Sequence, residues 1–297
     1  MSSISNIAGT FAAPREHPRS WNPISTPVKW IARQPLALLL PATALVLMVL
    51  ATIFAGFLSP YDPNALSMQE MLASPSMSHP LGTDQLGRDV LSRVLHGGQI
   101  TIMMSLIGTV AIIALGLVVG ITSGYIGGRY DLIVSVVLTM LLSVPSLLLT
   151  LAILGVLGAG NRTLLIALIG AGWVGHARIF RSAVLALRET VYVEAAQAIG
   201  ASQTRILLRH ILPNLLTTVV VLATLDLGAL ILTVTSLSFL GLGVQPPDAD
   251  WGTMLNEART YFGQFPLLAI APGVCITLIA LLCNLVGDAI RDAVDID

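Results

Sequence analysis

The chain has 297 residues, 55% of them hydrophobic and 10% charged, with a formal net charge of −1 and a mean hydropathy of +0.85. About a quarter of the residues in a soluble globular domain are charged, so this composition excludes an ordinary water-soluble fold, and the near-zero net charge argues against nucleic acid as a partner. The single lysine, Lys29, lies in no glycine-rich context, which excludes a phosphate loop of the form GxxxxGK[ST] and ATP hydrolysis by that route.

Residues 1–28 are rich in Ser and Pro and include Arg15 and Arg19; they are expected to form a disordered cytoplasmic lead. The first apolar run begins near Leu36, too far from Met1 for a cleaved secretory signal, and is expected to be a retained anchor. That anchor and the external segment after it make up residues 29–99. A helix needs about 20 apolar residues to cross a hydrocarbon core of about 30 Å. Charge-free runs near Leu36–Leu58, Ile100–Tyr125, Leu132–Leu157, Thr163–Ala177, Leu215–Ser236 and Phe265–Val286 therefore predict an all-α membrane protein of six transmembrane helices. Residues 100–297 hold five of these helices. The fourth run is short, bounded by Arg162 and Arg178, and the fifth contains Asp226. Pro41, Pro145 and Pro272 fall inside runs, where neighbouring helices can satisfy the freed backbone groups.

Orientation follows from Lys and Arg, which favour the cytoplasmic side. With the N-terminus inside, the cytoplasmic set is Arg15, Arg19, Lys29, Arg33, Arg129, Arg178, Arg181, Arg188, Arg205, Arg209 and Arg291, against Arg88, Arg93, Arg162 and Arg259 outside. The expected topology is N-in and C-in, with the loop 178–214 in the cytoplasm.

Gly116, Gly120, Gly124 and Gly128 recur every fourth residue in the second run and its exit, a side-chain-free stripe suited to close helix packing. In the first external segment, Leu91, Val94 and Leu95 interleave with Arg88, Asp89 and Arg93. This pattern predicts an amphipathic helix, either at the membrane surface or packed on the protein itself. In the second external segment Pro246-Pro247 disfavours helix, and Trp251 suits a membrane interface. No HExxH or GxSxG is present, so neither a zinc protease nor a serine hydrolase is supported. The five histidines lack metal-ligand spacing, and Cys275 and Cys283 sit in one apolar run as buried small hydrophobes. No catalytic and no metal residue is expected.

The loop 178–214 is too elaborate for a simple connection. Its centre reads Tyr192-Val193-Glu194-Ala195-Ala196-Gln197-Ala198-Ile199-Gly200 and its end Arg209-His210-Ile211-Leu212-Pro213-Asn214. These residues predict a helix through Ile199, a break at Gly200, a second short helix capped by Ser202, and Pro213 closing it or opening the fifth span. Small Ala195, Ala196 and Ala198 could nest in a partner's groove while Glu194 pairs with its arginine; an ordinary solvated loop is the alternative.

Glu-Ala-Ala, a glycine six residues after the Glu, and His-x-x-Pro-Asn resemble the EAA loop of binding-protein-dependent ABC importer permeases. Other stretches resemble the second permease subunit of the dipeptide, oligopeptide and nickel importers: His79-Pro80-Leu81-Gly82-Thr83-Asp84, Gly87-Arg88-Asp89-Val90-Leu91-Ser92-Arg93, Ser238-Phe239-Leu240-Gly241-Leu242-Gly243-Val244-Gln245-Pro246-Pro247, Trp251-Gly252 and Gly287-Asp288-Ala289-Ile290-Arg291-Asp292. The likeness runs from about Arg33 to Asp297. It implies a bacterial inner-membrane importer in which this chain pairs with a second permease, contacts lipid, and docks on two ATPase subunits that bind ATP and Mg; an external solute-binding protein delivers cargo. The chain itself would bind no cofactor. The resemblance implies ATPase-coupling roles for Glu194, Ala195, Ala196, Gly200, Arg205, His210 and Pro213, and an external gate or binding-protein contact at Asp84, Arg88, Gln245 and Trp251. Asp226 is a candidate for the translocation pathway, where it would attract a cationic cargo end, or for a pairing with the companion permease, since a charge inside a span costs about 2.5–3.5 kcal/mol on insertion scales. Di- or oligopeptides are the expected cargo, nickel the alternative. An ion-coupled secondary transporter is the reading from another class.

Overall fold

The computed structural model describes residues 36–295; the disordered lead expected at 1–28 lies outside them. The described chain is helical, with one isolated bridge between Thr83 and Asp89. Helix α1 (Leu36–Ile53) keeps Pro41 inside it, and α2 (Ala55–Leu58) is a single further turn. After the segment 59–89 come α3 (Val90–Ile126), α4 (Gly128–Leu142), α5 (Ser146–Leu157) and α6 (Asn161–Arg188). The loop contains α7 (Val191–Ala198) and α8 (Gln203–Ile206), then a widened turn at Leu207–Ile211 that runs into α9 (Leu212–Phe239). Helix α10 (Trp251–Ala258) precedes the last helix, α11 (Leu267–Asp295).

Among the described residues four helices are long and apolar enough to cross a membrane: α3, α6, the continuous Gln203–Phe239 and α11. A fifth crossing is formed if α4 and α5 count as one span, although they meet at 83°. The sequence reading ran that span straight through Pro145. Proline has no N–H to donate and pushes the preceding residue out of the helical region, so the chain breaks at Ser143–Pro145 instead. The apolar part of α1, Leu38–Ile53, is shorter than the others.

Helix α3 also departs from expectation. Of the two expectations for Arg88–Arg93, packing on the protein itself holds, since Arg88, Asp89 and Arg93 are buried, but the helix is not separate: Val90 begins a continuous helix of 37 residues, about 55 Å long at 1.5 Å per residue. Asp89 caps it, its Oδ2 accepting from Ser92 N at 2.8 Å and Ser92 Oγ at 2.7 Å. Along its middle the glycine stripe lies against α6. A methyl carbon added at Gly116 would stand 2.6 Å from His176 Cβ, at Gly120 2.6 Å from the Ala177 carbonyl oxygen, and at Gly124 2.9 Å from that of Arg181. These are backbone-level contacts that no side chain can share, so the stripe sets how closely α3 and α6 pack. Gly128 is not part of it; it opens α4 after the turn at Gly127.

The two ends of α3 meet different parts of the chain. The Val90 end joins a core containing Val94, Trp251, Met254, Leu268 and Ile279, while the Ile126 end joins one containing Val184, Val193, Ala196, Ile206, Ile211 and Leu215. The segments 59–89 and 244–264 and the loop 178–214 therefore lie at opposite ends of one rod.

Candidate functional site

The loop is built on α6. Thr190 Oγ1 donates to the Leu187 carbonyl at 2.6 Å, and α7 begins at the next residue. Two of its eight residues, Val193 and Ala196, face inward and are buried, three apart and so on one helical face. Glu194, Ala195, Gln197 and Ala198 are exposed, with Val191 at 81% and Ile199 at 85%. Large apolar side chains thus stand open at the start of α7 and just past its end. Gly200, at φ +82°, ends α7; Ala201 N donates to Ala196 O and Gly200 N to Gln197 O, both at 3.0 Å. Those two bonds are the glycine-terminated C-cap that a left-handed residue allows. Ser202 then caps α8, its Oγ accepting from Arg205 N at 3.4 Å, which leaves the Arg205 side chain exposed.

The His-x-x-Pro-Asn element closes the loop. Pro213 has no N–H and its ring would collide with the carbonyl four residues earlier. The helix widens just ahead of it, Leu212 N donating to Leu207 O. Asn214 Nδ2 donates to the His210 carbonyl at 2.5 Å and lies 3.4 Å from Tyr192 Oη, and the His210 ring sits 6.1 Å from that of Tyr192. Loop entrance and exit are thus held together. Tyr125 Oη, on the last turn of α3, donates to Gln203 O at 2.9 Å, and Arg188 Nη1 donates to Gly124 O at 2.8 Å. Sequence reasoning singled out Glu194, Ala195, Ala196, Gly200, Arg205, His210 and Pro213. It missed Val191 and Ile199 on the open face, and Tyr125 and Arg188 beneath it.

At the other end, Asp84, Arg88 and Trp251 are buried and Gln245 is exposed. Arg88 Nε donates to Asp84 Oδ2 at 2.6 Å, and Arg88 Nη2 and Arg93 Nη2 both donate to Glu257 Oε2 at 2.9 Å. Two cations and two anions from the segment 59–89, α3 and α10 thus neutralise one another. His79 Nδ1 bonds Asp89 Oδ1 at 2.9 Å, and its ring stacks on Tyr61 at 4.6 Å. Gly87, at φ +73°, passes so close to Ser67 that a Cβ would lie 1.8 Å from the Ser67 carbonyl oxygen, which accounts for the glycine before Arg88-Asp89. Trp251 is 1% exposed, not interfacial: Nε1 donates to Val94 O at 2.8 Å and the ring fills the space left by Gly98. Asp250 caps α10 by accepting from Thr253 N at 2.9 Å, and burial pushes its carboxyl above the ordinary range. Gln245 Nε2 donates to Gly241 O and Gly243 O.

Asp226 has a partner in its own chain. Its Oδ2 is hydrogen-bonded to His176 Nε2 across α6 and α9, and His176 Nδ1 lies 3.1 Å from Gly172 O. The two residues are 50 apart in sequence, and helical periodicity gave no sign that they would meet.

Residues 116–296 match the family described as "Binding-protein-dependent transport system inner membrane component". The chain is 38% identical over 267 residues to the nickel transport system permease protein NikC of Escherichia coli (strain K12), covering 90% of this chain and 94% of that protein. It is 39% identical over 255 residues, 86% of this chain and 84% of the other, to the glutathione transport system permease protein GsiD of Escherichia coli O6:K15:H31 (strain 536 / UPEC). It is 40% identical over 256 residues, 86% and 85%, to the probable D,D-dipeptide transport system permease protein DdpC of Escherichia coli (strain K12). Among solved structures, a chain of the MetNI methionine ABC transporter in inward-facing conformations superposes with a TM-score of 0.55 at 20% identity, over 68% of this chain and 96% of that one; that likeness shows the fold.

Proposed function

The chain belongs to the binding-protein-dependent inner-membrane permeases, in the branch that includes dipeptide, oligopeptide and nickel transport systems, and we propose that it forms half of a peptide-import pathway driven by ATPase subunits docked on α7. The observation that carries this is the two-sided build of α7, with Val193 and Ala196 seated in the chain's own core and Val191, Glu194, Ala195, Ala198 and Ile199 facing out. Glu194 offers a charge to an arginine of the ATPase subunit, and Gly200 sets the angle to α8. His210, Pro213 and Asn214 fix the return path into α9, and Arg205 adds a second charged contact.

The proposal assigns six crossings by adding α1 and the bent α4–α5 pair to the four long helices, with both termini and the loop 178–214 in the cytoplasm. In domain terms the lead 1–28 is cytoplasmic, residues 29–99 hold the anchor and external segment, and residues 100–297 form the core. ATP and Mg belong to the partner subunits; a second permease completes the pathway and a solute-binding protein meets the surface around Gln245. Asp84, Arg88 and Trp251 act there by holding that surface in shape. Two of the three relatives above are named for peptides, which supports peptide cargo.

The test is the assembled complex with Glu194→Lys or Gly200→Pro. Both variants should reach the membrane yet lose cargo-stimulated ATP hydrolysis, since a reversed charge in a dry contact costs several kcal/mol. Normal stimulated hydrolysis in both would remove the loop from the transmission path.

A further inference from the structure

The His176–Asp226 pair lies near the midpoints of α6 and α9. The proton count follows from taking the contact of His176 Nδ1 with the Gly172 carbonyl as a hydrogen bond. A backbone carbonyl only accepts, so His176 Nδ1, which contacts Gly172 O, carries a hydrogen. The Nε2···Oδ2 contact with Asp226 must then hold one further proton, because without it two lone pairs would face each other. Imidazolium with carboxylate, or imidazole with carboxylic acid, both sum to zero charge. The pair is therefore neutral while it keeps that proton and anionic once it gives it up.

The side chains of His176 and Asp226 are 15% and 25% exposed, so the pair is open to what lies beside the chain. Helix α9 turns outward more than its neighbours: 17% of its most apolar stretch is buried, against 33–44% in the other three long spans. Beside the pair, α3 presents Gly116, which has no side chain, against His176. Apolar replacement of a buried ion pair is often neutral or stabilising, so joining α6 to α9 does not by itself call for these two residues.

We infer that His176 and Asp226 form a mid-membrane receiving site for a cationic group, which holds a proton when empty and exchanges it for the ammonium end of a passing peptide. This rests on the importer reading above. In the exchange His176 Nε2–H gives its proton to pathway water. The ammonium donates one N–H to the Asp226 carboxylate and another to the freed Nε2 lone pair. The pair passes from zero to −1 as a +1 group arrives, so the site stays neutral throughout, and neutrality is what the bilayer interior favours. A metal dication is the other source of positive charge, but one imidazole nitrogen and one carboxylate are fewer donors than the four or more such ions take.

The experiment needs no cargo. In the assembled complex with Cys275→Ala and Cys283→Ala, a reporter cysteine is placed by Ala229→Cys, three residues beyond Asp226 on the same helical face and exposed. Its rates with an ethylammonium and an ethylsulfonate methanethiosulfonate are measured relative to a free thiol. The ammonium reagent should be favoured about tenfold or more, because only a cation can displace the pair's proton and be held by the carboxylate and imidazole it frees. Asp226→Asn should bring the preference close to one, and Asp226→Glu should retain it. Equal rates with Asp226 intact, no reaction with either reagent, or a complex that falls apart on Asp226→Asn would each overturn the proposal. In uptake by the same complex, Asp226→Asn should slow a free-amine dipeptide several-fold; slowing of nickel(II) alone would overturn the ammonium assignment. A parent complex that imports neither under ATP would defeat the importer reading, with the labelling result still standing on its own.

Discussion

Arg181 and Asp131 meet in a two-point ion pair, Nε to Oδ1 at 2.5 Å and Nη2 to Oδ2 at 2.7 Å, with Ser123 Oγ donating to Oδ1 at 2.6 Å. One bond set thus ties the start of α4 to α6 and to the last turns of α3. The parallel fork of a guanidinium on a carboxylate fixes orientation as well as distance, so the helix that begins the bent pair is registered against the helix that leads into the loop.

Removing that pair should loosen the junction. Asp131→Ala is expected to cost about 2 kcal/mol, the range of hydrogen bonds to charged groups, visible as a lower midpoint in thermal unfolding of the detergent-solubilised complex. Arg181→Lys should recover only part, since an ammonium cannot make the fork. The exchange Asp131→Arg with Arg181→Asp should be milder than either single reversal; equal or greater loss would show that the pair is not the junction's main tie.

The glycine stripe gives a graded expectation. Gly120→Ala forces a methyl to within 2.6 Å of the Ala177 carbonyl oxygen and should cost about 1–3 kcal/mol, as overpacking does. Gly120→Leu should prevent α3 and α6 from closing and abolish recovery of the complex from membranes. Gly128→Ala, at a position with nothing within 4 Å but φ +62°, should be felt through backbone strain alone.

At the Val90 end of α3, Glu257→Ala leaves Arg88 and Arg93 buried without the anion they share there. The expected loss is about 3–5 kcal/mol, the cost of breaking a buried pair from one side, with faster proteolysis of the 59–89 segment. Glu257→Asp should be intermediate; unchanged proteolysis in Glu257→Ala would show that the cluster does not hold the segment.

Asp250 makes an expectation about pH. Its folded-state carboxyl value is raised by burial above the unfolded value of about 3.9, so the native state binds the proton more tightly. Its contribution to stability is full below about pH 3.9 and declines as pH rises through the raised folded value. Asp250→Asn keeps a capping oxygen for Thr253 N and does not titrate. Melting measured against pH should therefore show this variant gaining on the parent as pH rises from acid to neutral; parallel curves would sink the assignment.

Orientation is open to labelling. A cysteine at Gln203 should react only from the cytoplasmic side and one at Asp248 only from outside, and the reverse pattern would overturn the assigned topology.

The apolar runs and the loop were legible because bilayer solubility and helix punctuation are local properties. Gly200, Ser202 and Pro213 each act within a few residues of themselves, and the structure uses Gly200 and Ser202 as their types suggest. The glycine stripe was legible as packing but not its target on α6. What stayed hidden depends on distant partners. Arg88, Asp89 and Arg93 left a membrane-surface helix and one packed on the protein both open, because Glu257, 164 residues beyond Arg93, gives no local sign of neutralising them. Trp251 read as interfacial for the same reason, since the space that Gly98 leaves for it lies far back in the chain. Asp226 looked isolated until the fold brought His176 beside it.

The widened turn ahead of Pro213 has an angular consequence. A turn closed by a bond from Leu212 to Leu207 holds one residue more than a regular one, and one residue corresponds to about 100° around a helix. Everything upstream on that rod, α8 and through it the bearing of α7, is therefore rotated by that angle against the phase of α9. The aim of α7 is set by a single surplus residue in the helix behind it, and deleting one residue within Leu207–Ile211 would swing it to a new azimuth while leaving every side chain on its surface unchanged.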